Sequence, residues 1–231
     1  MEALKKADVT AIRDLYETRF REMGESVAAV GWGCRHSQAL RFQQLFRGLE
    51  ACGKRILDFG CGFADLIPYL DETCNGHFDY VGIELCDGIL DVATKRYSDR
   101  GFRFIAGDLL ALPDSIGRDL KCDIAVCSGA FSLRIEDNVG YTTSVIRRLC
   151  EIATEVVSVN FLSSQVDFQL EKNHHYCPAE MLQFASTCSR HVAIYHDYPL
   201  WEFTMQVYCD ASKDEKGVAD MTRETNGVNS R

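Results

Sequence analysis

Three acids and a pair of glycines stand where a ligand could be held. In "RILDFGCGFADL", residues 55 to 66, Asp58 closes an apolar run and Gly60-Cys61-Gly62 follows at once. Glycine carries no Cβ, so this stretch can turn sharply and let a ligand lie directly on the backbone. A carboxylate ahead of such a turn repels polyphosphate and accepts a hydrogen bond from an ammonium group. Glu84 ends "YVGIE" about twenty residues further on, a second carboxylate at the end of an apolar run. Asp108 follows "FRFIAG", and Ser128-Gly129 ends "CDIAVCSG". Beyond them come Asn160 and the loop "NHHYCP" with His174, His175 and Tyr176, whose ring nitrogens and phenol could hold or move a proton.

Each of these groups sits at the end of a short apolar run, and the runs must be strands for the groups to meet. "RILDF", "YVGIEL", "FRFIAGD", "CDIAVCSG", "EVVSVNFL", "VAIYHDY" and "FTMQVYCD" read as seven strands. A helix is expected from Phe63 to Leu70, and others from Asp87 to Ser98 and Glu136 to Cys150, where apolar positions recur at helical spacing. Strand, glycine turn and helix N-terminus form the front of a nucleotide-binding βαβ unit, and continued alternation implies a parallel sheet covered on both faces. The Tyr198-Pro199-Leu200 connection is too short for a parallel crossover, so the last strand must run antiparallel. Residues 8–50 carry helical spacing broken at "GESVAAVGWGC". The expected fold is α/β, a Rossmann-like seven-stranded, mostly parallel sheet with an antiparallel last strand, helices on both faces and an N-terminal helical cap. The cap is assigned to residues 1–50, the ligand-binding domain to 51–210, and a polar, flexible tail to 211–231.

Composition narrows the partners. The 231 residues fit one large α/β domain, and no apolar stretch approaches the twenty or so residues of a membrane span. The charged start "MEALKKADVTAIRDLYE" has a helical pattern and not that of a secretory leader, which predicts a soluble, cytoplasmic protein without a membrane partner. Eleven cysteines, an odd number with no CxxC pair, suit reduced thiols used as small hydrophobes. A net charge of −9 leaves no excess for phosphate backbones, so nucleic acid is not expected as a partner. Asp65 stands where a dinucleotide fingerprint needs its third glycine, and no Gly-Lys-Ser/Thr follows the turn, which argues against NAD and against a P-loop.

"LDFGCGFADL" resembles the first motif of class I S-adenosylmethionine (SAM)-dependent methyltransferases, with Ala64 at the third small position as a departure. The resemblance implies that Asp58, Gly60, Cys61 and Gly62 run beneath the methionine and ribose of SAM, which leaves as S-adenosylhomocysteine (SAH). It implies that Glu84, with Leu85 beside it, binds the ribose, that Asp108 faces the adenine amino group with Leu109 against the ring, and that Ser128 faces the reacting centre. The outer segments "AVGWGCRHSQALRF" and "HDYPLWEFTMQVY" are similar to those of a group of bacterial, small-molecule methyltransferases. By that resemblance Arg41 pairs with the carboxylate of SAM and Trp32 helps to close the pocket.

Methyl transfer from a sulfonium spreads an existing charge, so alignment in a dry pocket is the main requirement. A base is needed only where the methyl acceptor loses its proton at the transition state. His174, His175 and Asn160 are the catalytic candidates, as bases or as groups that shape the pocket, and Phe131, Asn160, His175 and Tyr176 are the candidate contacts to the methyl acceptor. His-His-x-Cys is crowded for tetrahedral chelation, and no metal is expected. The loop Ser128-Gly129-Ala130-Phe131 lacks the Asn/Asp-Pro-Pro-aromatic signature of enzymes that methylate amino groups of bases or glutamine, and "LRIEDN" lacks the paired glutamates of arginine methyltransferases. These absences leave a nitrogen or oxygen of a small metabolite, in a biosynthetic pathway and on a monomer or homodimer. A macromolecule (protein or RNA) methyltransferase and a non-catalytic SAM-binding protein are the alternatives.

Overall fold

Apolar residues in adjacent pairs along a strand need cover on both faces, and the helices supply it. The computed structural model describes residues 3–113, 116 and 119–209, so the tail expected from residue 211 lies outside the described residues. In chain order the elements are α1 (Lys6–Met23), α2 (Arg35–Leu45), β1 (Arg55–Phe59), α3 (Leu66–Cys74), β2 (Asp79–Glu84), α4 (Asp87–Arg96) and β3 (Arg103–Ala106). They continue as β4 (Cys122–Ser128), α5 (Asn138–Ile152), β5 (Ala153–Leu162), α6 (Pro178–Ala185), β6 (Val192–Tyr195) and β7 (Glu202–Tyr208). The strands form one sheet in the order β3-β2-β1-β4-β5-β7-β6, parallel from β3 to β5, with β7 antiparallel to both β5 and β6.

The sheet separates two apolar layers. Successive side chains of a strand point to opposite faces, so Ile56 and Leu57, both fully buried, belong to different layers. Ile56 packs with Phe42 and Leu45 of α2 and Ile67 and Leu70 of α3, whereas Leu57 packs with Ile146 and Leu149 of α5. Each such side chain contributes about 1.5–3 kcal/mol on burial. Of the two N-terminal helices, α2 is therefore part of one layer. By contrast α1 has no buried residue; Tyr16 and Phe20 are partly buried beside Phe63, Cys86 and Ile89.

Element boundaries moved where local geometry overrode periodicity. α3 begins at Leu66 and not at Phe63, because the turn continues through Ala64, held at φ 58° after Gly60 at 77° and Gly62 at 56°. α5 begins at Asn138 and not at Glu136, because the Asp137 carboxylate caps it by accepting from the Gly140 amide at 2.9 Å. All eleven cysteines are free thiols, and Cys61, Cys74, Cys86, Cys122 and Cys127 are buried. Among the described residues no helix is long and apolar enough to cross a membrane.

Candidate functional site

A parallel sheet brings the carboxyl ends of neighbouring strands to one edge, and here β1, β2, β4, β5 and the turn after β3 open on one cavity of about 320 Å³. Asp58, Gly60, Cys61, Gly62, Glu84, Leu85, Asp108, Ser128, Phe131 and Asn160 all line it, and Trp32 and Arg41 join them from the N-terminal segment.

The glycine turn is tied to β2. The Gly60 and Cys61 amides donate to the Ile83 carbonyl at 2.8 and 3.1 Å, and the Gly62 amide donates to Glu84 Oε2 at 2.9 Å. A Cβ on Gly60 would come within 2.7 Å of the Ala130 methyl group, so the residue must be glycine for space as well as for conformation. The Cys86 amide donates to Glu84 Oε1 at 3.0 Å. Each carboxylate oxygen of Glu84 is thus oriented by a backbone N–H. Burial raises the pKa of Glu84, and those amides oppose the rise.

Asp58 is buried and accepts from the Tyr80 hydroxyl at 2.7 Å. Burial pushes its carboxyl up to about 7, nearby Glu84 and Asp65 add to the rise, and the Tyr80 hydroxyl opposes it. Asp108 accepts from the Leu110 amide (3.1 Å) and the Tyr141 hydroxyl (2.9 Å) on Oδ1, and from the Leu4 amide (2.9 Å) on Oδ2. One lone pair of Oδ2 is left without a donor.

At the opposite wall Arg41 meets Glu202. Arg41 Nε lies 2.9 and 2.7 Å from the two Glu202 oxygens, and Nη2 bonds to the same carboxylate. The guanidinium stacks over Trp32 at 4.6 Å, while its Nη1 is buried without a partner. Trp32 in turn lies on Gly129, where a Cβ would fall 2.5 Å from the indole ring. Between these walls runs a polar ledge. Ser128 Oγ donates to Asn160 Oδ1 (3.1 Å), Asn160 Nδ2 donates to Thr204 Oγ1 (2.7 Å), and the Tyr198 hydroxyl lies 3.0 Å from the same Thr204 oxygen.

Four expected site residues stand elsewhere. Leu109 is buried in the core, and His174, His175 and Tyr176 are not among the cavity-lining residues. Leu170, Lys172 and Asn173 of this loop line the cavity, whereas hydrogen bonds pin the stretch that follows along the end of β5. The Tyr176 amide donates to Leu162 O and the Ser164 amide to Tyr176 O, both at 2.8 Å. His175 Nδ1 is 2.7 Å from Ser163 O, and His174 stands edge-on to Tyr176 at 4.5 Å. The Tyr176 hydroxyl is spent on Thr142 (2.8 Å) and the Phe131 carbonyl (3.3 Å), so it braces the pocket wall from behind. Partial burial, Arg134 and His175 lower the His174 pKa from its ordinary value.

Other lining residues carried no assigned role in the sequence. Glu202 lies in the "EFT" segment, and Gln38, which donates to Asp65 at 3.2 Å, lies between "VGW" and "RF". Ile12 and Tyr16 of α1 line the cavity, and their spacing with Phe20 (i, i+4, i+8) was a usable signal for a face turned inward. Burial, with Glu84 nearby, pushes the Tyr16 hydroxyl up to about 12. No group of three or more His, Cys, Asp or Glu among the described residues could hold a metal ion.

Together these groups can hold a ligand that presents hydroxyls, an ammonium and a carboxylate along one edge. The methyltransferase-domain family matches residues 56–153. A protein of Mycobacterium tuberculosis (strain ATCC 25618 / H37Rv), named "Putative methyltransferase Rv1506c", is 28% identical over 161 residues, 66% of this chain and 91% of that protein. Among solved structures, the pyocyanin biosynthetic protein PhzM superposes with a TM-score of 0.57 at 15% identity, over 84% of this chain and 61% of that one, so this chain spans about three-fifths of its length. An S-adenosylmethionine-dependent methyltransferase from Clostridium acetobutylicum ATCC 824 superposes with a TM-score of 0.56 at 14% identity, over 84% of this chain and 99% of that one. Structural likeness at such identities shows a shared fold.

Proposed function

Because this chain is a class I SAM-dependent methyltransferase, we propose that it methylates a nitrogen or oxygen of a small metabolite, as a step in a biosynthetic pathway. The observation that carries the reading is the cavity itself, in which the strand-end acids and Arg41 line a space closed by Trp32 and by α1. The residues fit SAM. Glu84, oriented by two amides, accepts the ribose hydroxyls, and the lone pair left on Asp108 Oδ2 accepts from the adenine amino group. Asp58 receives the ammonium, and the guanidinium of Arg41, a residue of the cavity wall, supplies the donor for the carboxylate.

When bound, SAM supplies an electrophilic methyl group that leaves its sulfonium in line with the attacking atom. The chain's task is to hold a nucleophile on that line and keep water out. Ser128 and Asn160, locked to each other and to Thr204, form a ledge whose remaining hydrogen-bonding capacity orients the nucleophilic atom. Phe131 and Trp32 form apolar walls around it. With His174 and His175 outside the cavity, alignment and not a histidine base carries the rate, which favours a neutral amine or ring nitrogen over an alcohol.

The test is incubation of the protein with methyl-labelled SAM and a metabolite extract, followed by mass spectrometry. A labelled small molecule supports the reading. Label found only in protein or RNA would refute it.

A further inference from the structure

We propose that the methyl acceptor enters through a throat between α1 and the segments 133–135 and 170–172, and that it is an amphipathic acid with an elongated apolar body and a carboxylate at its far end. The inference rests on the small-molecule reading above and adds the chemistry of the substrate. A second cleft lies beside the main cavity, and the two share Ile12, Leu133, Ile135, Leu170 and Lys172. The shared wall is therefore four aliphatic side chains and one ammonium group. Leu170 is 47% exposed.

Charge decides which end of a ligand fits the throat. Lys172 is exposed and makes no ion pair among the described residues. The outer cleft also carries Asp8, Glu171 and Arg134, but none of them lines the cavity. Asp8 accepts from the Glu136 amide at 3.3 Å, and Arg134 spends its guanidinium on the carbonyls of Glu171 (2.8 Å) and Asn173 (2.9 Å). Lys172 is thus the one charged side chain common to both spaces. An apolar body filling the aliphatic wall would reach the Ser128–Asn160 ledge with its nucleophile and leave an anionic end beside Lys172.

Three probes of equal chain length separate the terms: octanoate, octanol and octylamine, titrated calorimetrically into the full chain with SAH present. Octanoate should bind about fivefold more tightly than octylamine, the size of a partly exposed ion pair, with octanol between them. Lys172→Met should abolish the difference while leaving SAH affinity and melting temperature unchanged, and Lys172→Glu should reverse the order. Equal binding of the three probes, or a preference that survives in Lys172→Met, would overturn the throat assignment even with a labelled metabolite in hand. Label on a macromolecule would end the small-molecule reading whatever the probes do, so the two failures are distinct.

Discussion

The acid most exposed to test is Asp58. It is 4% accessible in the cavity wall, and its carboxyl is pushed up to about 7 by burial. A folded pKa above the ordinary 3.8 means that the native protein binds this proton more tightly than the unfolded chain. Its contribution to stability is therefore full below a pH of about 4 and is lost as pH rises toward 7. Binding of SAM runs the other way, because an ammonium beside Asp58 requires the ionised carboxylate. Affinity should climb as Asp58 ionises and be about tenfold weaker at pH 6 than on its plateau, since one pH unit corresponds to about 1.4 kcal/mol. Above a pH of about 8 it should fall again as an α-amino group loses its proton. Calorimetry of SAM binding in two buffers of different ionisation enthalpy would read both the limb and the proton released. Asp58→Asn should flatten the acid limb. Tyr80→Phe should move it to higher pH, because the lost hydroxyl donates at 2.7 Å to the ionised form. A flat profile between about pH 6 and 7 in the wild type, or an Asn variant that keeps the limb, would refute the assignment of Asp58 to the ammonium.

Further expectations concern the rest of the cavity wall. Glu84→Ala removes the charged partner of two hydroxyls, so SAM affinity should fall by about 2–3 kcal/mol; an unchanged isotherm would take Glu84 out of the site. Glu202→Ala leaves the Arg41 guanidinium buried and unpaired at a cost of about 3–5 kcal/mol, visible as a large drop in melting temperature, and an unmoved transition would contradict the buried pair. Gly129→Ala places a methyl group 2.5 Å from Trp32 at a φ of +81°, so activity should fall and tryptophan emission should shift together, and neither should happen alone. His174→Ala and His175→Ala should each change kcat by less than about threefold, against the hundredfold or more expected on loss of a general base; a large loss with an acid limb in the rate profile would show that the loop reaches the reaction.

The strand ends were legible because their signals are local. An apolar run, an acid and a Gly-x-Gly turn lie within a few residues of one another, and the helix that follows is forced by the same segment. The antiparallel β7 was legible for a similar reason, since the connection between the last two strands, residues 196–201, is too short for a parallel crossover. Periodicity placed α3 too early because it does not register backbone sign, and Ala64 at φ 58° holds the chain out of the helix for two further residues. The placement of the histidine pair was not legible, because loop residues look available in a sequence. Only the pairing of Ser163 and Tyr176 at the end of β5 decides which way such a loop lies.

What the sequence alone determined was the order of βα units and the acids that terminate them, and so the face of the sheet at which a ligand binds. The tertiary structure decided what closes that face. Arg41 and Glu202 are 161 positions apart and meet because β7 returns antiparallel beside β5 while α2 packs on the same layer. Leu4 reaches Asp108 across 104 positions, and Ile12 and Lys172 come to share one throat, because α1 lies over the sheet edge with no buried residue of its own. Such contacts are absent from any window of the sequence, since what brings them together is the burial of two separate apolar layers and not the propensity of the residues that touch.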